Sequence, residues 1–204
     1  MEHLLHLNKD KKLKRIIALQ DPYVLAKRKN VYLHLCTSIM SQQLSTKVAD
    51  VFHKRFLDLY KTKNPTAQQI AATPFETLRG IGLSNAKANY VLNVCNFFIA
   101  EQITDAQLYK MGDEEVIKHL TQIKGVGRWT VEMILMFTLG REDVFPLDDL
   151  GIQQAVCKLY NIDTGDKKLM KEKMAAVAKK WSPYQTYACR YLWGWKDNVP
   201  EVKK

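Results

Sequence analysis

Cysteine is sparse and scattered. The four cysteines, Cys36, Cys95, Cys157 and Cys189, are far apart and include no pair at the Cys-x-x-Cys spacing of a metal site. Cys36, Cys95 and Cys157 sit among apolar neighbours, the setting of buried free thiols in a reducing compartment. Long apolar runs are missing as well. Nothing approaches the roughly 18 residues of a membrane span, and the opening Met-Glu-His-Leu-Leu-His-Leu has no apolar core long enough for a signal peptide. The expectation is a soluble, intracellular protein with no membrane contact. The five histidines, His3, His6, His34, His53 and His119, show no ligand pairing. Proline- and glycine-rich linkers and low-complexity tracts are absent. So is sustained polar–apolar alternation, which leaves no basis for strands.

What is present is a basic, helical chain. In its 204 residues, 47% are hydrophobic and 25% charged, a globular balance that can bury a sizeable core. Lys and Arg number 31 against 21 Asp and Glu, a formal charge of +10. Such a surplus suits a polyanionic partner, though charge alone leaves a merely soluble basic protein equally open. The runs around Lys9–Lys12 and Lys167–Lys173 read as solvated faces.

Apolar residues recur at helical spacing almost throughout. Over 45–60, Val48, Val51, Phe52, Phe56 and Leu59 read as one inward face behind Ser45 as N-cap. Thr66 with Gln69 forms a capping-box pattern. Ser84 is placed to cap a helix whose face is Ala88, Val91, Leu92, Cys95 and Phe98. Asp113 is placed to cap a helix through Leu120, and a helix over about 129–139 should end at Gly140. Ser182-Pro183 should open the last helix. The Gly-x-Gly loops at 80–82 and 125–127 look like two uses of one turn. Trp181 and Trp195 are assigned to the core.

The second loop, Lys124-Gly-Val-Gly-Arg128, lies between two predicted helices within about 113–139. Two glycines permit positive φ values and let a backbone approach a ligand closely. The loop amides and the next helix's N-terminus then point at one place, which suits a phosphate. A bare Gly-x-Gly is more often an ordinary turn, so the surroundings decide. Farther on, Asp143-Val-Phe-Pro-Leu-Asp-Asp149 supplies two carboxylates before another helical pattern, with Ile152, Val156 and Leu159 facing inward.

The stretch Leu120–Leu135 followed by Asp143–Ile152 resembles the signature of the helix-hairpin-helix, Gly/Pro-rich-plus-Asp DNA glycosylase superfamily. Gly-Arg-Trp-Thr at 127–130, Phe-Pro-Leu-Asp-Asp at 145–149, Tyr187-Ala-Cys-Arg-Tyr-Leu-Trp193, Ser41-Gln-Gln-Leu-Ser45 and Gly82-Leu-Ser…Lys87-Ala88 are similar to the 3-methyladenine DNA glycosylase II branch. The likeness spans about 35–195. It implies an all-α, two-lobed glycosylase fold with a cleft between lobes. One lobe would run over 31–144 and contain the hairpin; the other would join 1–30 to 145–204. The larger bacterial members carry an extra N-terminal β-containing domain, for which this chain is too short.

By position the resemblance makes Asp149 the catalytic carboxylate, with Asp148 left to capping or support. Trp129, Trp193 and Tyr187 would line a base pocket. Met133 stands where the family often has an aromatic, and Glu132 beside it either touches the base or serves local hydrogen bonds. Gln43 would fill the stack vacated by a flipped base, beside Gln42. Lys124, Gly125, Val126, Gly127, Arg128 and Thr130 would meet the DNA backbone, and the carbonyls of Thr121, Ile123 and Val126 would hold Na⁺ or K⁺. Trp129 occupies the place of the lysine nucleophile of strand-cutting relatives, so a glycosylase without lyase activity is implied. Only Cys189 lies near the C-terminus, so no iron–sulfur cluster is expected. The implied partner is double-stranded DNA with alkylated bases, met by a monomer in the bacterial cytoplasm or a eukaryotic nucleus. Two alternatives stand beside this reading: a non-catalytic helix-hairpin-helix DNA-binding module, and a glycosylase for another lesion.

Overall fold

The computed structural model describes residues 1–198. Every regular element in that span is helical, as the missing alternation predicts. In chain order the helices are α1 (Glu2–Leu7), α2 (Lys11–Ile17), α3 (Val31–Ser41), α4 (Thr46–Asp58), α5 (Ala67–Ala71), α6 (Phe75–Gly80) and α7 (Asn85–Ala100). They continue with α8 (Asp105–Lys110), α9 (Asp113–Leu120), α10 (Arg128–Phe137), α11 (Leu150–Tyr160), α12 (Lys167–Ala178), a 3₁₀ turn (Lys179–Trp181) and α13 (Gln185–Asn198). No helix among the described residues is long and apolar enough to cross a membrane.

The chain divides into two compact units. One is Lys27–Leu139; the other joins Met1–Ala26 to the segment from Gly140 onward. The first unit's ends lie at 27 and 139 rather than at 31 and 144. The reason is local: the Arg28 amide donates to the Thr138 carbonyl at 2.8 Å, and the Tyr109 hydroxyl donates to the Arg28 carbonyl at 2.7 Å. The second unit's last residues, 199–204, lie outside the described span.

In the continuous unit α3 packs against α4, α7 and α10. Its Val31, Leu35, Cys36, Ile39 and Met40 are fully buried, each side chain contributing about 1.5–3 kcal/mol by leaving water. Cys36 and Cys95 lie 3.8 Å apart, sulfur to sulfur, and all four cysteines are free and buried. In the other unit α13 packs on α11 and α2, and α11 on α12, around Leu13, Val156, Met174, Trp181 and Tyr191.

Local signals decide several boundaries. Thr66 and Gln69 form their capping box, and the Ser84 hydroxyl accepts from the Lys87 amide. Gly140 adopts φ +65° after α10. Asp113 is not a cap: Gly112 holds that place, its amide donating to Glu115. α10 ends at Phe137 instead of 139, because the amides of Thr138 and Leu139 both turn back to the Ile134 carbonyl. The Ser182–Pro183 peptide is cis, and α13 starts at Gln185.

Two expectations are corrected. In α4 the buried residues are Ala49 and Phe56, while Val48, Val51 and Leu59 are exposed; α4 rests mainly on α3 and buries only a narrow stripe. The two Gly-x-Gly loops are also different turns. In the first it is the second glycine, Gly82, that takes a positive φ (+103°); in the second it is the first, Gly125 (+101°). Trp181 is buried as assigned. Trp195 is only half-buried, with the Lys158 ammonium 5.3 Å from its ring centre.

Candidate active site and interhelical hairpin

Asp149 sits at the end of a loop that is fixed residue by residue. The Val144 amide donates to Thr186 Oγ1 at 3.1 Å. The Phe145 ring meets Trp181 edge-on, centroids 5.9 Å apart. The Pro146 carbonyl accepts from the Asp149 amide at 3.0 Å, and the Leu147 carbonyl accepts from Gln153 Nε2 at 3.0 Å. A proline in this loop has no amide to satisfy and a restricted φ, which favours one loop shape.

Asp149 is the N-cap of α11: its Oδ1 accepts from the Ile152 amide at 2.8 Å. The same oxygen accepts from Trp193 Nε1 at 2.9 Å. The division of labour predicted between the paired aspartates is therefore corrected. Capping belongs to Asp149; Asp148 is exposed and ion-paired with Lys171. Helix register decides this, since only the residue immediately before α11 can reach its first free amides. Gly151 completes the arrangement: a Cβ there would lie 3.1 Å from Asp149 Oδ1 and 3.1 Å from both Trp193 Cδ1 and Nε1. The result is a half-buried carboxylate held by two donors at a helix N-terminus, where anions are favoured.

Tyr187, also assigned to a base pocket, is buried in this unit. Its ring stacks on His3 at 3.9 Å, with 4° between planes, and its hydroxyl donates to Glu142 at 3.0 Å. Burial, followed by that hydrogen bond, pushes its pKa up to about 12. One face of the ring is thus occupied by His3.

The hairpin joins α9 to α10 in the other unit. Gly125 needs to be glycine twice over: it has φ +101°, and a Cβ would fall 2.1 Å from Cγ of Tyr90. Gly127, the N-cap of α10, has φ −94°, and a Cβ there would meet no atom within 4 Å. Only one of the two glycines therefore uses the conformational freedom expected of both. The other presents bare backbone to open space. Asn93 Nδ2 donates to the Lys124 carbonyl at 3.1 Å, tying the hairpin to α7, and Val126 is buried beneath it.

Arg128 is bound within the protein. Its guanidinium pairs with Glu114 on α9 and, through Nε at 3.1 Å, with Glu132 on α10. Glu132 is 6% exposed, so this pairing accounts for a buried carboxylate. Glu132 thus makes a local hydrogen bond, one of the two roles open to it. Thr130 is buried, and its Oγ1 accepts from Gln42 Nε2 at 3.2 Å; both side chains thus fix the chain to itself. Gln43 is exposed, with φ +62°. Lys124 is exposed as well.

Trp129, Met133 and Phe137 fall four residues apart on α10, with Trp129 and Phe137 each 37% exposed. Met133 and Phe137 line a recess of about 200 Å³ with Arg28, His34 and Ser38. Burial, then the nearby Arg28 guanidinium, lowers the His34 pKa. The i, i+4, i+8 spacing of Trp129, Met133 and Phe137 puts all three on one face of α10. Lys87 stands in the resemblance without a role: its ammonium donates to the carbonyls of Met40 at 3.0 Å and Gln42 at 2.8 Å, and burial lowers its pKa. Among the described residues, no three His, Cys, Asp or Glu side chains are grouped to hold a metal.

These elements coincide with those of known proteins. The HhH-GPD superfamily of base excision DNA repair proteins matches residues 36–182. A putative DNA-3-methyladenine glycosylase of Bacillus subtilis is 34% identical over 80% of this chain and 58% of its own length, so this chain spans little more than half of that relative. DNA-3-methyladenine glycosylase 1 of Schizosaccharomyces pombe is 34% identical over 94% of this chain and 84% of its own. A solved structure of the S. pombe 3-methyladenine DNA glycosylase in complex with abasic DNA superposes with a TM-score of 0.85 at 31% identity, covering 100% of both chains. A DNA-3-methyladenine glycosidase from Bacillus halodurans gives a TM-score of 0.81 at 33% identity, over 94% of this chain and 87% of that one. On a match covering most of its length and carrying both hairpin and aspartate, the chain belongs to the HhH-GPD superfamily of base excision DNA repair proteins.

Proposed function

We propose that the protein releases alkylated purines from double-stranded DNA by hydrolysing the N-glycosidic bond, the opening step of base excision repair. The observation that carries this reading is the Asp149 carboxylate, fixed through Oδ1 by the Ile152 amide and Trp193 Nε1. Breaking the bond from base to sugar builds positive charge on the deoxyribose. A carboxylate already held in place stabilises that charge without reorganising at the moment of reaction, and it can orient or deprotonate the attacking water. A DNA-binding module without chemistry would need Asp149 only as the N-cap of α11, not held by Trp193 Nε1 as well. The names of the relatives in Bacillus subtilis and S. pombe point the same way.

Alkylation at a purine ring nitrogen leaves the base cationic, so it departs readily and needs little help from a general acid. Aromatic faces favour such a base by about 0.5–2 kcal/mol, a role for Trp129 and Trp193. The base must leave the stack to be cut, with Gln43 filling its place. The amides around Gly127 hold the strand, with Lys124 adding positive charge. Trp129 offers no amine, so water is the nucleophile and an intact abasic strand the product. The protein acts as a monomer.

A monovalent cation suits the hairpin. The carbonyls of Thr121, Ile123 and Val126 are hard oxygen donors, and the Ile123 carbonyl, which accepts from the Val126 amide at 3.0 Å, keeps a second lone pair. Bound there, a cation adds positive charge beside the DNA backbone.

Product analysis tests the proposal. Duplex DNA containing 7-methylguanine should yield the free base and a strand that breaks only on later alkali treatment. Strand cleavage without alkali, or a covalent adduct trapped by borohydride, contradicts the water-nucleophile route. DNA binding with no base released favours a binding module.

A further inference from the structure

We infer that Lys87 is a positioning residue: its ammonium holds the loop after α3 in the shape that presents Gln43 to the DNA. This rests on the proposed role of Gln43 as the residue that fills the vacated stack.

The last carbonyls of any helix lack intrahelical donors. α3 ends at Ser41, and the chain turns sharply there: Gln42 has φ −51° and ψ 132°, and Gln43 takes a left-handed φ of +62°. A left-handed φ is uncommon for a non-glycine residue, so contacts that hold the turn matter. The turn is closed by the Leu44 amide donating to the Ser41 carbonyl at 3.1 Å, a geometry that calls for a positive φ at its third residue, and a recess of about 280 Å³ lined by Met40, Phe52, Leu83 and Lys87 among others adjoins it.

Lys87 makes two such contacts. From the first turn of α7 it reaches into that space and donates to the Met40 carbonyl at 3.0 Å and the Gln42 carbonyl at 2.8 Å. A cation at a helix C-terminus is also favoured by the helix dipole. The two carbonyls bracket the point where α3 ends, and Gln43 follows directly. On the other side Gln42 Nε2 is anchored on the buried Thr130 hydroxyl at 3.2 Å. Gln42 is thus clamped by backbone and side chain, and the exposed Gln43 follows directly on the clamped residue. An insertion element prepared in this way does not have to order itself on meeting DNA.

The test compares two single-turnover excision rates for 7-methylguanine: paired with cytosine in duplex DNA, and opposite an abasic-site analogue, where no paired base has to be pulled away. Lys87→Met should lower the ratio of the first rate to the second about tenfold, and Lys87→Arg should restore most of it. The second rate reports the folded, chemically competent fraction of each variant; should Lys87→Met fold poorly, the shorter Lys87→Gln provides the same comparison. Gln43→Ala should lower the ratio similarly, and the double variant should fall no further than Gln43→Ala alone. If Gln43→Ala lowers the ratio while both Lys87→Met and Lys87→Gln leave it unchanged, the clamp is overturned. If Gln43→Ala leaves the ratio unchanged, the role of Gln43 fails and the clamp has nothing to position.

Discussion

Trp193 and Asp149 are joined by one hydrogen bond, from indole Nε1 to carboxylate Oδ1 at 2.9 Å, across 44 residues of sequence. The bond gives Trp193 a task that packing alone does not explain. Trp193→Phe keeps an aromatic ring but removes the donor. A hydrogen bond to a charged group contributes about 1.5–3 kcal/mol, so base excision should slow roughly tenfold to a hundredfold, with little change in DNA affinity. Single-turnover kinetics and a DNA titration separate the two effects. An unchanged excision rate would show that the indole N–H does not position the carboxylate.

Gly151→Ala tests the same geometry from a third side. Alanine is the better helix former by about 1 kcal/mol, so the thermal midpoint should hold or rise. The added Cβ, 3.1 Å from Asp149 Oδ1 and from the Trp193 indole, must displace one of them by a few tenths of an ångström. Excision should therefore fall while stability does not, as a melting curve and a rate measured on one preparation would reveal.

The two hairpin glycines should respond in opposite ways. Gly125→Ala combines left-handed strain with a clash against Tyr90 and should cost about 2–4 kcal/mol of stability in a urea titration. Gly127→Ala meets nothing within the protein and should change stability by about 1 kcal/mol at most. A methyl group over the exposed N-terminus of α10 should weaken DNA binding about tenfold, the loss of one charge-assisted contact. Equal effects at both positions would contradict the separate roles.

These residues also show what the sequence could and could not reveal. The helices, the capping box at Thr66 and the turn at Gly140 are local, and their signals lie within a few residues. Motif order placed Asp149 and the hairpin. Local pattern could not say which of the two adjacent aspartates caps α11, because that depends on where the helix starts. Nor could it show that Gly127 has an ordinary φ, that Arg128 is held by Glu114 and Glu132, or that Tyr187 lies against His3. The family likeness includes Lys87, but local pattern gives it no task, because its partners, Met40 and Gln42, lie more than 40 residues earlier. In α4 the count of apolar residues pointed to Val48, Val51 and Leu59, whereas packing mainly on α3 buries Ala49 and Phe56 among the described residues.

Tyr187 should leave a mark on alkaline stability. Its folded pKa is raised to about 12, against about 10 for a free tyrosine. Below pH 10 the phenol is neutral in both states and contributes no pH dependence. Between pH 10 and 12 the unfolded chain loses the proton and the folded one keeps it, so stability falls as pH rises. Other tyrosines with raised pKa values share in this decline, so the informative quantity is a difference. Tyr187→Phe should lose less stability than wild type over pH 10–12, measured by urea unfolding at each pH; identical slopes would contradict the assignment.

Asp149→Asn is the most direct test of the central claim. Asparagine is as good an N-cap as aspartate, and its carbonyl oxygen can still accept from the Ile152 amide and Trp193 Nε1. The fold and DNA affinity should survive while the negative charge is lost. With 7-methylguanine DNA in single turnover, the variant should release base at least about a hundredfold more slowly than wild type. Release at the wild-type rate would contradict the account.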